Sequence, residues 1–142
     1  MANYKIPSVT TDIFIFDDDL NFILIKRKND PYKDYWAIPG GFVEYGETVE
    51  NAAVREAKEE THIDVELKDL VNVYSKPDRD PRGHTITVAY TAQGNFSNKK
   101  ADSDASDISV FNEKKLDEIK IAWQSLKMAM KGRLQYRLDS FV

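Results

Sequence analysis

Short apolar runs alternate with polar segments along most of the chain, and these runs are typical of β-strands. Residues 9–16 and 22–26 form two such runs, and the aspartate-rich segment 17–21 between them predicts a hairpin turn. Because both runs are almost uninterrupted, we expect their strands to be covered on both faces. The apolar or alternating pattern predicts further strands at 35–41, 64–74, 85–92 and 108–111.

Two segments have helical periodicity. The first follows Thr48, whose hydroxyl can cap a helix, and it ends before His62; its alanines favour a helical interior. The second is clear over 121–134 and weaker from Leu116, with apolar residues recurring mostly at three- or four-residue multiples. Strands interspersed with two helices predict an α/β architecture, and the length of 142 residues predicts one domain, 1–142.

Three polar segments are predicted loops: 26–31, 75–84 and 95–106. The first contains a basic cluster that either helps to hold an anionic substrate or is simply solvated. The aspartates at 17–19 lack the glycine and glutamate of a calcium-binding loop, so a plain turn is the favoured interpretation there.

Composition narrows the function classes. Hydrophobic residues make up 42% of the chain and charged residues 31%, as in soluble globular proteins. The net charge of −4 argues against a nucleic-acid partner, because no basic excess is available to neutralise phosphates. The absence of cysteine excludes disulfides and thiolate metal sites. With no apolar signal core and no run of membrane-spanning length, we expect a cytoplasmic location and no membrane partner.

The helix after Thr48 carries an acidic face. At about 100° per residue, Glu56, Glu59 and Glu60 fall within an arc of about 100°. Their mutual repulsion would be removed by a divalent cation, and carboxylates are preferred ligands of such ions. The alternative is a solvated helix face, but the preceding 39–41 segment, Pro-Gly-Gly, lets the backbone approach a ligand and favours the metal site.

The segment 41–63 resembles the Nudix box. Five residues separate Gly41 from Glu47, and seven more precede Arg-Glu-Ala-Lys-Glu-Glu-Thr-His-Ile at 55–63, so every charged position of the box matches. Ala57 is small for its aliphatic position, and His62 replaces a glycine just past the helix end, where histidine tolerates a positive φ at modest cost. The resemblance implies an α/β/α sandwich around a mixed β-sheet, with the box as loop–helix–loop.

The resemblance also implies roles for the box residues in a hydrolase that cleaves nucleoside diphosphates linked to another group. The carboxylates of Glu56 and Glu60, and the carbonyl of Gly41 or of Gly40 beside it, match positions that bind Mg²⁺, or Mn²⁺ in its place. Glu59 matches the carboxylate that shares the metal or takes a proton from water. Arg55, a catalytic candidate by position, matches with Glu47 a pair that mostly holds loop and helix in register.

A further acidic residue from a later loop supplies the general base or another metal ligand in many Nudix hydrolases. The candidates here are Asp102, Asp104 and Asp107, and Glu44 inside the box is another helper.

The segments 36–47 and 74–84 resemble the ADP-ribose pyrophosphatase branch of the family. The run Asp-Pro-Arg-Gly-His at 80–84 recurs in that branch and in ADP-ribose-sensing Nudix domains of bacterial regulators. Arg79 and Arg82 offer bidentate donors to phosphate or ribose oxygens. His84 either touches the substrate or belongs to a loop held by Asp–Arg pairs, and Trp36 either packs in the core or stacks on a base.

The leading hypothesis is therefore Mg²⁺-dependent hydrolysis of ADP-ribose to AMP and ribose 5-phosphate, with a small-molecule nucleotide as the partner. A nucleoside triphosphate pyrophosphohydrolase is the enzymatic alternative, and it would release pyrophosphate. A non-catalytic ADP-ribose sensor is the alternative from another class; the intact glutamates and the lack of a basic recognition helix before Val142 argue against it. Nudix proteins often form homodimers, although no interface is indicated by this sequence.

Overall fold

A computed structural model describes residues 5–112, 114–115, 120 and 122. Within these residues the chain forms seven strands and one helix. Their bounds are β1 Ser8–Phe16, β2 Phe22–Arg27, β3 Trp36–Ala37, β4 Gly40–Phe42, α1 Val49–Thr61, β5 Val65–Tyr74, β6 Thr85–Gly94 and β7 Ala105–Phe111. No helix in this part of the chain is both long and apolar enough to cross a membrane.

The strands form one mixed sheet. Its main path runs β3-β2-β1-β6-β5, with β4 paired to β1 and β7 paired to β2. The β1–β6 pair is parallel and the other pairs are antiparallel. The predicted strand at 35–41 is in fact two short strands, β3 and β4, and β7 starts three residues earlier than predicted. The mixed sheet with α1 confirms the predicted α/β architecture; the segment predicted as the second helix, 121–134, lies outside the described residues except for Ala122.

Strand β1 lies at the centre of the protein and is covered on both faces, as predicted. Phe14 and Phe16 belong to one apolar cluster, together with residues of β2 and β7. Ile13 and Ile15 belong to a second cluster, which contains Ala53 and Ala57 of α1. All four β1 side chains are fully buried. Because the α1 residues in this contact are alanines, the helix can lie close to the sheet.

Helix α1 has the caps that the sequence predicts. The Thr48 hydroxyl accepts a hydrogen bond of 3.1 Å from the backbone N–H of Asn51. At the other end His62 takes the left-handed conformation with φ 59° and ψ 19°, and its N–H donates to the Lys58 carbonyl. A non-glycine residue in this conformation costs about 1 kcal/mol, so the helix end is formed at some expense in stability.

Strand β4 places the Gly40–Gly41 backbone against β1. Gly40 pairs with Asp12, and Gly41 with Thr11. A Cβ atom on Gly40 would lie only 2.2 Å from the Thr11 carbonyl oxygen, which is a severe steric clash. Glycine is therefore required at position 40 by the close approach of two backbones.

Replacing Gly40 by alanine is expected to destabilise the protein by about 3 kcal/mol, because β4 must move away from β1. Urea unfolding measures the change. Gly46→Asn is the control: Gly46 has φ 85° with no atom within 4 Å of an added Cβ, and asparagine tolerates positive φ. Equal losses in the two variants would contradict the packing argument.

Candidate active site

A cavity of about 310 Å³ opens between α1, β4 and the loops around residues 79–82 and 103–104. Eleven of its nineteen lining residues are ionisable. The acidic ones are Asp12, Glu44, Glu56, Glu59, Glu60, Asp80 and Asp104, and the basic ones are Arg27, Arg55, Arg79 and Arg82. Such a lining favours a ligand that carries charge of its own.

Glu60 lies deepest among the α1 carboxylates, with only 5% of the residue exposed. Its Oε2 accepts a hydrogen bond of 3.2 Å from the Gly40 N–H. Burial raises the pKa of Glu60 well above its ordinary value; the Gly40 bond opposes this, and the nearby charges of Glu56, Asp12 and Asp104 add to it. The carboxylate is thus held by the fold in a place that is unfavourable for its charge.

Glu56 lies one turn before Glu60 and is also partly buried. Burial raises the pKa of Glu56, the Arg55 guanidinium lowers it, and the Glu59 and Asp104 charges raise it further. A Cβ atom on Gly41 would lie 2.5 Å from the carboxyl carbon of Glu56. Glycine at position 41 therefore lets the carboxylate rest directly against the backbone.

These carboxylates have the chemistry of a divalent-cation site. Hard cations such as Mg²⁺ take oxygen ligands. Burial first, and then repulsion from neighbouring carboxylates, raises the pKa of both glutamates, and a cation placed here would offset these costs. The Gly40 N–H bonds to Glu60 and the Gly41 backbone lies against Glu56, so the backbone of this glycine pair lies beside the carboxylates. In the described part of the chain no three acidic or histidine side chains already converge as a ready-made metal cluster; an arginine occupies the space between two of the glutamates.

That arginine is Arg55, which joins the loop before α1 to the helix. Its Nε and Nη2 donate to the two carboxylate oxygens of Glu47 at 3.0 and 2.6 Å, and Nη2 also donates to the Phe42 carbonyl at 3.1 Å. Its Nη1 donates to Glu56 at 2.9 Å and to Glu59 at 3.2 Å. Pairing with Arg55 lowers the pKa of Glu47 to about 2. Arg55 therefore links the loop before α1 to the helix, which is the role that the box resemblance favours.

The other arginines come from β2 and from the 75–84 loop. Arg82 forms two hydrogen bonds with the buried Asp80 carboxylate, at 3.1 and 2.8 Å. Arg79 donates through Nη2 to the Thr87 hydroxyl at 2.5 Å. Its Nε is buried and has no hydrogen-bond partner among the described residues. Arg79 lines the cavity, although its Nε is itself shielded from solvent.

Asp12 is a cavity residue that the sequence analysis missed. It lies on β1 beside Gly40 and is partly buried. Burial raises the pKa of Asp12 to about 7, although Arg79, Arg27 and Arg82 oppose the shift. A single charged residue inside an otherwise uncharged strand was the signal that could have identified it.

The structure brings most of the sequence-predicted site residues to the cavity: Gly41, Arg55, Glu56, Glu59, Glu60, Arg79, Arg82 and Asp104. Trp36, His84, Asp102 and Asp107 lie outside its lining. Trp36 packs edge-on against Phe111, with ring centroids 5.0 Å apart. The His84 ring bonds to the Ser75 carbonyl at 2.9 Å, and the exposed Asp107 carboxylate accepts from the next backbone N–H, that of Ile108.

The comparisons with known proteins agree with this geometry. The model of the NUDIX domain matches residues 7–139. An ADP-ribose pyrophosphatase from Methanocaldococcus jannaschii is 47% identical over 116 residues, which cover 82% of this chain and 68% of that protein. The ADPR responsive transcriptional repressor of Acinetobacter baylyi is 41% identical over 100 residues, which cover 67% of this chain and 40% of the repressor.

A solved structure has a similar fold. It is the bifunctional NMN adenylyltransferase/ADP ribose pyrophosphatase from Francisella tularensis, complexed with AMP and a Mn ion. It superposes with a TM-score of 0.79 and is 27% identical, covering 89% of this chain and 41% of that one. The chain thus spans less than half the length of this enzyme and of the repressor.

Asp12→Asn is expected to stabilise the protein at neutral pH. The pKa of Asp12 rises from 3.8 to about 7 on folding, so between these values the folded state holds a proton that the unfolded state has lost, and stability falls as the pH rises. The amide removes this penalty. We expect a gain of about 1 kcal/mol or more at pH 8 and almost none at pH 4.

Thermal unfolding in a buffer with a chelator measures this difference without a contribution from bound cations. Asp78→Asn is the control, because Asp78 lies in the 75–84 loop with its side chain 78% exposed. A gain that is the same at both pH values would show that ionisation of Asp12 is not its cause.

Proposed function

The chain belongs to the Nudix hydrolase family, and from this premise we propose that it hydrolyses ADP-ribose to AMP and ribose 5-phosphate with a divalent cation. The proposal rests on one observation: acidic and basic side chains line the same cavity. Buried carboxylates of α1 lie against the Gly40–Gly41 backbone, and three arginines outside the box line the same cavity. A diphosphate with a bound cation presents both complementary charges.

The cation site is assigned to Glu56, Glu60 and a backbone carbonyl of Gly40 or Gly41, the two glycines that lie against these carboxylates. Mg²⁺ or Mn²⁺, when bound, would neutralise charge on the diphosphate and on the leaving phosphate. Glu60 is oriented for this role by its bond from the Gly40 N–H. Glu59 is the more exposed carboxylate, 47% exposed, and Arg55 holds one of its oxygens. It can therefore share the cation or accept a proton at its other oxygen.

The proton acceptor from the later loop is assigned to Asp104. Among the three aspartates considered, Asp104 alone lines the cavity, and its charge contributes to the raised pKa values of Glu56 and Glu60. In the reaction one P–O bond of the diphosphate breaks, and water supplies the oxygen of the new P–O bond. A proton from that water passes to a carboxylate oxygen, Asp104 or Glu59, and the bridging oxygen leaves on the second phosphate.

The arginines are assigned to the substrate's anionic and hydroxyl oxygens. Arg79 lines the cavity and donates through Nη2 to the Thr87 hydroxyl, and Arg82 is oriented by its two bonds to Asp80. Arg27 lines the same cavity from β2. Both named pyrophosphatases among the similar proteins support ADP-ribose as the substrate.

A sensing domain is a second candidate, because one relative is an ADPR responsive repressor. It requires the same binding site but no turnover. The intact carboxylate set of α1 and the cavity position of Asp104 favour the enzyme, since a protein that only binds ADP-ribose does not need a proton acceptor at the diphosphate.

Product analysis distinguishes these functions. Purified protein with Mg²⁺ is incubated separately with ADP-ribose, NADH, diadenosine polyphosphates and nucleoside triphosphates. We expect AMP and ribose 5-phosphate from ADP-ribose, at a rate well above the other substrates. Pyrophosphate from a triphosphate, with ADP-ribose intact, would instead indicate a nucleoside triphosphate pyrophosphohydrolase. Binding of ADP-ribose without products would indicate the sensor.

Glu60→Gln is expected to lower kcat by about a hundredfold or more, because the amide removes a charged cation ligand. Its thermal midpoint should not fall, since the carboxylate it replaces is held in an environment unfavourable for charge. Glu66→Gln is the matched control on β5, where the side chain is 77% exposed. Turnover close to that of the parent at saturating Mg²⁺ would refute the assignment of Glu60 to the cation.

A further inference from the structure

The loop that carries Asp104 is tied to the C-terminal end of α1. The backbone N–H of Lys100 donates to the Thr61 carbonyl at 2.9 Å, and that of Asp102 donates to the Glu60 carbonyl at 3.2 Å. These two carbonyls belong to the last turn of α1, where no helical partner is available to them. The loop therefore satisfies the helix end and takes its position from it.

A side-chain bond adds to this attachment. The His62 Nε2 lies 2.8 Å from Asp102 Oδ2. Because an ionised carboxylate can only accept, the ring N–H is the donor, and this bond lowers the pKa of Asp102. His62 reaches the loop because its left-handed backbone, φ 59°, turns the chain at the helix end. Glycine, the residue of the Nudix box at this position, has no side chain to form such a bond.

Asp102 in turn fixes the short segment that leads to Asp104. Its carbonyl accepts from the Ala105 N–H at 3.0 Å, which closes a turn around Ser103 and Asp104. Ser103 is itself left-handed, with φ 54°, and Asp104 is held on the far side by the Lys28 N–H, which donates to its carbonyl at 3.1 Å. A displacement of Asp102 would thus be passed directly to the Asp104 side chain in the cavity.

We propose that His62 is a positioning residue: through its bond to Asp102 it fixes the 102–105 turn, and so aims the Asp104 carboxylate at the substrate. The inference rests on the proposed function, in which Asp104 accepts a proton or assists the cation. It also explains the departure of this chain from the box. The imidazole attaches the turn to the helix end in addition to the backbone bonds. Glycine at this position would relieve the backbone strain but could not form this bond.

His62→Gly tests the inference, because it removes the bond while restoring the residue best suited to the left-handed conformation. We expect kcat with ADP-ribose to fall about tenfold, since Asp104 is less precisely placed, with KM changed by less than about twofold. The thermal midpoint should stay level or rise. Asp102→Ala should give the same kcat loss. Activity lost together with thermal stability in both variants would indicate a merely structural role and overturn the inference.

A double-mutant test shows whether His62 acts through Asp104. In an Asp104→Asn background, His62→Gly should cause no further fall in kcat, because the group it positions has been replaced. A full additional loss would overturn the proposed route. Lys58→Ala is the matched control: it breaks an exposed ion pair of 3.1 Å to Asp64 at the same helix end, and it should leave kcat unchanged.

Amide hydrogen exchange gives a readout that does not depend on the substrate. In His62→Gly the N–H groups of Lys100, Asp102 and Ala105 should exchange faster than in the parent, while those in the middle of α1 keep their rates. Unchanged exchange would overturn the inference even if ADP-ribose is hydrolysed. If ADP-ribose is not hydrolysed, the proposed function fails, and faster exchange would still show that His62 anchors the turn.

Discussion

The placement of like-charged carboxylates in a shielded cavity is the constraint on which the site depends. Burial and mutual repulsion raise the pKa of both Glu56 and Glu60, so the folded protein holds these groups against their preference for water. It does so with backbone that has no side chains at Gly40 and Gly41, and with the Arg55 guanidinium. Carboxylates that were simply solvated would need neither the glycine backbone nor the guanidinium beside them.

The fold supplies the rigidity that such an arrangement needs. Strand β1 is buried on both faces and pairs with β2, β4 and β6. The alanine contacts of α1 hold the helix close to that strand. The glutamates thus project from an element packed on the core, and the glycines belong to a strand of the same sheet. A site placed only on loops would not resist the repulsion between its own carboxylates as well.

The elements were predictable from sequence because their signals are local. The uninterrupted apolar runs of β1 and β2 predicted strands buried on both faces, and the Thr48 cap and the alanines predicted α1. The spacing of Glu56, Glu59 and Glu60 predicted a shared acidic face, which the cavity lining confirms as an arrangement in space. In each case the structure depends on residues that are close together in sequence within one strand or helix.

The remaining parts of the site depend on contacts between distant segments, and local patterns do not encode them. Asp12 reaches the cavity because β4 pairs with β1, and strand order could not be derived from periodicity. The choice among the loop aspartates depends on the turn that Asp102 closes, with His62 turned toward it. Trp36 and His84 have residue types suited to a substrate, but their packing on Phe111 and bonding to Ser75 follow from the assembled fold.

The charge arrangement also links stability to ligand binding. Asp12, Glu56 and Glu60 have raised pKa values in one cavity, so their ionised forms reduce the stability of the folded protein near neutral pH. A divalent cation would offset this cost for the glutamates, and only the folded state assembles the ligands that bind it. Four arginines line the same cavity and supply the opposite charge. In the proposed function, a cation with a diphosphate would complement both sets of charges.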